Sequence, residues 1–103
     1  MPGDRLDVAV AEAVAGSRDA LREVLETIRP IVVRYIRARL GTAERVGLSA
    51  DDVAQEVCLA AIQALPRYQD QGRPFLAFVY GIAAHKVADA HRAAGRNRSE
   101  PTD

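Results

Sequence analysis

The chain reads as all-α: a compact domain of four helices. Three observations point there. Apolar residues make up 49% of the 103, yet only 5% are aromatic, and alanine is abundant, which suits close-packed helices. The apolar residues recur at helical spacing rather than alternating as in strands. Cap and breaker residues punctuate that pattern, with glycine at 16 and 41, serine at 17 and 49, and proline at 66 and 74. The length fits one domain with a modest core.

The first helix is expected near 5–15, capped by Asp4, with Leu6, Val10 and Val14 recurring and Gly16 ending it. The second, near 18–40, opens at Ser17 or Asp19 and carries Leu21, Val24, Leu25, Ile28, Ile31, Val32 and Tyr35 on its apolar face. Pro30 lies inside that pattern and should kink or divide it. Arg34, Arg37 and Arg39 complement the negative end of the helix dipole. Gly41 terminates it, and 42–48 is a loop.

The third helix, near 49–65, has a serine cap at Ser49 and carboxylates, Asp51 and Asp52, against its positive end. Val53, Val57, Ala60, Ala61, Ala64 and Leu65 form its buried face. Cys58, at the edge of that face, reads as a small buried apolar residue. Pro66 ends the helix and a polar loop follows. Arg73-Pro74 opens the fourth helix, near 74–94, because proline is pre-organised for a first helical turn. Residues 75–79 are apolar almost without interruption and should be buried. Leu76, Val79, Ile82 and Ala83 belong to the expected core.

Charge is balanced overall, 14 basic against 14 acidic residues, but unevenly placed. Residues 1–66 carry 8 Lys and Arg against 10 Asp and Glu, whereas 67–98 carry 6 against 2 together with both histidines. A basic C-terminal third beside an acidic remainder suits an adaptor between two partners. No run approaches the ~18 apolar residues of a membrane span, and no secretory signal pattern opens the chain. The expected location is cytoplasmic. One cysteine excludes an internal disulfide and offers no metal cluster. His85 and His91 lie about 240° apart around a helix and cannot share a metal as an i, i+4 pair could. Without a glycine-rich phosphate loop or nucleophile constellation, neither catalysis nor a cofactor is expected.

Two surfaces carry chemistry. On the third helix Asp52, Gln55, Glu56, Leu59 and Gln63 share the stripe opposite the core. An apolar anchor ringed by hydrogen-bonding groups suits a protein interface, although a single exposed leucine on a solvated face is also ordinary. In the following loop Tyr68, flanked by Arg67 and Gln69, is equipped to stack on an unpaired base; capping the core is the competing role. On the fourth helix Phe78, Gly81, His85, Asp89, Arg92 and Arg96 form one stripe, an aromatic root leading into a basic ridge. That pattern suits a nucleic-acid contact and equally a solvated face.

The ordered succession of motifs is more specific than any one of them. D-x-x-Q-E (Asp52 to Glu56), A-L-x-x-Y (Ala64 to Tyr68), G-R-P-F-L-A-F-V-Y-G-I-A (Gly72 to Ala83) and H-K-V-A-D-x-H-R (His85 to Arg92) together resemble region 2 of an extracytoplasmic-function sigma factor. The resemblance covers about residues 5–96. It implies an all-α sigma region 2 domain that binds the RNA polymerase core and recognises the promoter −10 element. By that likeness Asp52, Gln55 and Glu56 would dock on the β′ clamp helices, with Leu59 and Gln63 added from the stripe. The loop and the middle of the fourth helix would hold a flipped base of the non-template single strand. This points to Tyr68, Gln69, Asp70, Gln71, Arg73 and His85, and, further along, to Lys86, Asp89, Arg92 and Arg96. An anti-sigma factor is a further possible partner; no membrane partner is implied.

Three departures bear on these expectations. The chain has no tryptophan, and Phe78 stands where many relatives carry one; it is expected in the core. His85 stands where relatives often carry asparagine, so the base it reads cannot be carried over. Region 4, the second domain of a complete factor, is expected to be absent. The expected division is therefore 1–98 as the region 2 domain, with 99–103 a disordered tail or the start of an interdomain linker. The rival reading is a generic helical double-stranded DNA-binding module, or a protein-interaction domain without polymerase binding. A groove reader would prefer duplex to single strand.

Overall fold

In the computed structural model, residues 2–41, 49–68 and 72–99 are described, the side chains of 2–4, 94 and 96–99 excepted. Four helices run in order: α1 (Pro2–Val14), α2 (Arg18–Leu40), α3 (Ala50–Ala64) and α4 (Phe75–Ser99), with a 3₁₀ turn at Leu65–Arg67 after α3. The expected loop 42–48 lies outside the described residues.

The joint between α1 and α2 is two capping motifs sharing one serine. Gly16 takes φ 111°, its N–H donates to the Ala13 carbonyl, and the Ser17 N–H donates to the Glu12 carbonyl, both at 3.0 Å. These are the paired bonds of a Schellman ending. The Ser17 hydroxyl then accepts from the Ala20 N–H at 3.1 Å as the N-cap of α2. The upstream end differs from expectation: α1 starts at Pro2, so Asp4 lies inside the helix and is not its cap. Proline in a first turn gives up no needed donor. Val14 is exposed; among the described side chains of α1, Leu6, Ala9 and Val10 are the buried ones.

Helix α2 is undivided across Pro30. Pro30 is exposed, so the carbonyl deprived of its partner, on Glu26, faces the solvent side where water can satisfy it. The buried row is Ala20, Val24, Ile28, Val32, Ile36 and Leu40. Leu21, Leu25, Ile31 and Tyr35 are half-buried beside it. Ile36 and Leu40 continue the row beyond the expected face, to the Gly41 end.

Helix α3 matches its sequence signals closely. Ser49 caps it, accepting from the Asp52 N–H at 3.4 Å, and Val53, Ala54, Val57, Cys58 and Ala61 are buried, with Leu65 following in the 3₁₀ turn. Ala60 and Ala64 are half-buried rather than core. Helix α4 buries Phe75, Val79, Ala83, Val87 and Ala90, while Leu76 and Ile82, expected in the core, are half-buried at its margins. Its apolar opening is not buried all round: Ala77, Phe78 and Tyr80 are exposed. The helix also runs to Ser99, past Gly95, so Ser99 is helical rather than tail. Residues 100–103 lie outside the described residues.

The start of α4 is held from a distance. The Phe75 N–H donates to the Asp7 carboxylate of α1 at 2.9 Å. A carboxylate on a helix N-terminus both satisfies an orphan donor and meets the positive end of the dipole. Asp7→Ala should therefore destabilise the domain by about 1–2 kcal/mol in urea unfolding. Asp7→Asn, which keeps an acceptor oxygen, should recover most of that loss.

Candidate functional site

Helices α3 and α4 lie antiparallel: Glu56 meets Lys86 at one end, and Tyr68, just past α3, meets Phe75 and Phe78 at the other. Between them runs an open groove of about 730 Å³. Tyr68, Arg73, His85 and Lys86, from the loop and from α4, all line it. The structure thus brings Tyr68, Arg73 and His85, assigned by the resemblance to the flipped base, together with Lys86, assigned further along the strand. Arg67, Phe78 and Ile82 line it too, and among the described residues no Asp or Glu does. Gln69, Asp70 and Gln71 lie outside the described residues.

The groove's upper end is an aromatic cluster. Phe75 is fully buried; Tyr68 meets it edge-on at 5.1 Å between centroids and meets Phe78 at 5.4 Å. These are favourable offset geometries. Tyr68 is half-buried, and its hydroxyl donates to the Arg73 carbonyl at 3.4 Å. It both caps the core and walls the groove, so the two sequence readings coexist. Phe78 was expected in the core and is instead 36% exposed. Apolar residues on both sides of it hide its position in sequence; only the packing of Tyr68 shows that this edge of α4 stays open.

Beyond the groove the α4 ridge is largely self-paired. Asp89 accepts from Arg92 and lies 3.6 Å from His85 Nε2, an ion pair only when that imidazole is protonated. Asp89 and Arg92 therefore sit one to two turns past the groove and not within it. The side chain of Arg96 lies outside the described residues. His91, on another face, contacts the Arg39 carbonyl at 2.7 Å and ties the end of α2 to α4.

The second candidate surface lies on α3. Asp52, Gln55, Glu56, Leu59 and Gln63 are all exposed, and Leu59, at 56%, is the apolar anchor of that stripe. Gln55 and Leu59 also edge a cleft of about 490 Å³ shared with Leu25, Arg29 and Val33 of α2. That contribution of α2 was not read from sequence, since it depends on how the two helices cross. Cys58 lies beneath. Burial pushes its thiol pKa up, and the neighbouring Arg29 guanidinium offsets this in part.

With both surfaces placed, the chain was compared with known proteins. Residues 24–97 match the family Sigma-70 region 2, and the chain belongs to that family. Within it, the chain is 81% identical over 103 residues to ECF RNA polymerase sigma factor SigD of Mycobacterium tuberculosis (strain ATCC 25618 / H37Rv), which it covers to 49%. It is 49% identical over 92 residues, 85% of this chain and 47% of the relative, to ECF RNA polymerase sigma factor ShbA of Streptomyces griseus. It is 34% identical over 98 residues, 95% of this chain and 35% of the relative, to ECF RNA polymerase sigma factor BldN of Streptomyces coelicolor. The resemblance of the motifs to region 2 of an extracytoplasmic-function sigma factor is borne out. The chain spans about half the length of the mycobacterial and Streptomyces griseus relatives. No solved structure matches it. Among the described residues, no helix is long and apolar enough to cross a membrane.

Two outcomes test this packing. A Cβ at Gly81, on the groove floor, meets nothing within 4 Å, so Gly81→Ala should raise stability by about 0.5–1 kcal/mol in urea unfolding. Cys58, with its thiol held neutral, should react with a maleimide at pH 7.5 on the order of ten-fold or more slower than in the urea-unfolded chain.

Proposed function

We propose that this chain binds the RNA polymerase core and recognises the promoter −10 element, as the region 2 domain of an alternative sigma factor directing transcription initiation. The observation that carries the reading is the groove gathering Tyr68, Arg73, His85 and Lys86 beside the exposed α3 face, in a member of the Sigma-70 region 2 family. Three relatives are named as RNA polymerase sigma factors. The chemistry of bond formation belongs to the polymerase.

In this reading one base of the non-template single strand leaves its stack and enters the groove against Tyr68 and Phe78. Stacking tolerates any base, so identity is read by a polar group, His85, whose ring can donate or accept. Arg73 and Lys86 hold phosphates on either side, with Gln69, Asp70 and Gln71 completing the loop. Asp89, Arg92 and Arg96 serve the strand further along α4. Asp52, Gln55, Glu56, Leu59 and Gln63 dock on the β′ clamp helices, Leu59 entering as the desolvated anchor. An anti-sigma factor would compete for that same face. The polymerase partner sets the site of action in the cytoplasm.

Base–aromatic stacking contributes ~1–3 kcal/mol, so Tyr68→Ala should weaken binding of a −10 non-template oligonucleotide by roughly ten- to a hundred-fold in fluorescence anisotropy. His85→Ala should change which base is preferred more than the affinity itself. If base preference survives His85→Ala at every position, His85 only shapes the groove. A duplex bound more tightly than the single strand would favour a major-groove reader instead. On the other face, Leu59→Asp should cut binding to a β′ clamp-helix fragment by about ten-fold or more with unchanged circular dichroism. Normal binding by that variant would remove α3 as the docking face.

A further inference from the structure

Glu56 faces two ways. It belongs to the exposed polar stripe of α3, yet its Oε1 lies 3.4 Å from the Lys86 ammonium on α4, at the rim of the groove. The other acid on the near part of α4, Asp89, is engaged by Arg92 and His85. Arg67 and Arg73, the remaining rim cations, have no ion pair among the described residues. Lys86 is therefore the rim cation that carries a carboxylate, and that carboxylate comes from the opposite functional surface.

We propose that the Glu56–Lys86 pair is a latch between the two surfaces: a basic partner that takes up Glu56 releases Lys86 to a DNA phosphate. The inference rests on the assignments of both surfaces made above. An ammonium has three N–H donors and could touch carboxylate and phosphate together. The carboxylate would then stand within a few ångströms of the phosphate, and like charges so placed repel. When a basic group of the partner holds Glu56, that repulsion ends and the full charge of Lys86 faces the strand. Linkage makes the effect reciprocal: bound single strand strengthens partner binding by the same factor. Both side chains are partly exposed, so the coupling is small, about two- to five-fold.

A double-mutant cycle on the 103-residue chain tests this, read by anisotropy of a −10 non-template oligonucleotide at low salt. Glu56→Gln should tighten binding about two- to five-fold. In the Lys86→Met background the same substitution should do nothing, because there is no ammonium left to release. Adding the β′ clamp-helix fragment should tighten wild-type binding by a similar factor and leave Lys86→Met unmoved. Equal tightening by Glu56→Gln in both backgrounds would mean a general field effect and would overturn the latch. So would no tightening in the wild-type background, or an equal fragment effect on Lys86→Met. Tyr68→Ala run alongside separates the readings: a full stacking loss with no cycle term sinks the latch alone. Absence of any single-strand binding sinks the groove assignment with it.

Discussion

One row of side chains on α2 decides where everything else sits. Ala20, Val24, Ile28, Val32, Ile36 and Leu40 are all four residues apart and all buried. Four residues turn the helix by about 400°, so each step advances the row by ~40° around the axis. Over five steps it sweeps roughly half the circumference, and α2 packs against α1, α3 and α4 in turn. A stripe alternating three and four residues would have faced one neighbour only. Because α3 and α4 both rest on this winding row and also pack on each other, the gap left along their outer edges follows from how the three helices meet. That gap is the groove.

The same row explains how α2 tolerates Pro30. A proline costs ~3 kcal/mol in a helix interior when the freed carbonyl has no replacement partner. Here the proline falls midway between Ile28 and Val32 in sequence but on the exposed side of the helix. The core row passes it by, and packing on the opposite side keeps the helix whole where propensity alone would end it.

What sequence could show and what it could not divide along the same physical line. Local chemistry was legible: the serine caps, the glycine ending of α1, the carboxylates at the start of α3 and the polar stripe opposite its core all depend on residues within one or two turns. The gathering of Tyr68, Arg73, His85 and Lys86 was legible too, because a short loop between long helices forces them antiparallel. Features made by distant segments were not. Asp7 and Phe75 are joined across 68 positions, and nothing near either residue announces the bond. Phe78 sits in an apolar run whose other members do reach the core, so periodicity cannot tell that one edge is open. The α2 side of the cleft beside Leu59 depends on a helix crossing, which a sequence pattern does not contain.

In the proposed function the aromatic end of the groove is the stacking platform of a chain without tryptophan. Phe75 is wholly buried, its backbone fixed by Asp7 and its ring by the core. Tyr68 leans edge-on against that fixed ring, which orients the tyrosine face without help from the loop beyond it. Phe78 then extends the surface outward. A ring already held in place loses little rotamer freedom when a base arrives, so more of the stacking energy remains as affinity. Among the described residues the lining holds the cations Arg67, Arg73 and Lys86 and no acid; in the proposed function these cations draw in a phosphodiester strand of any sequence. In the proposed function identity then comes from a polar group of the lining, and His85, whose ring can donate or accept, is that group. Orientation by the core, attraction by the rim and discrimination by one edge group are thus separable in the proposed function, because different side chains supply each.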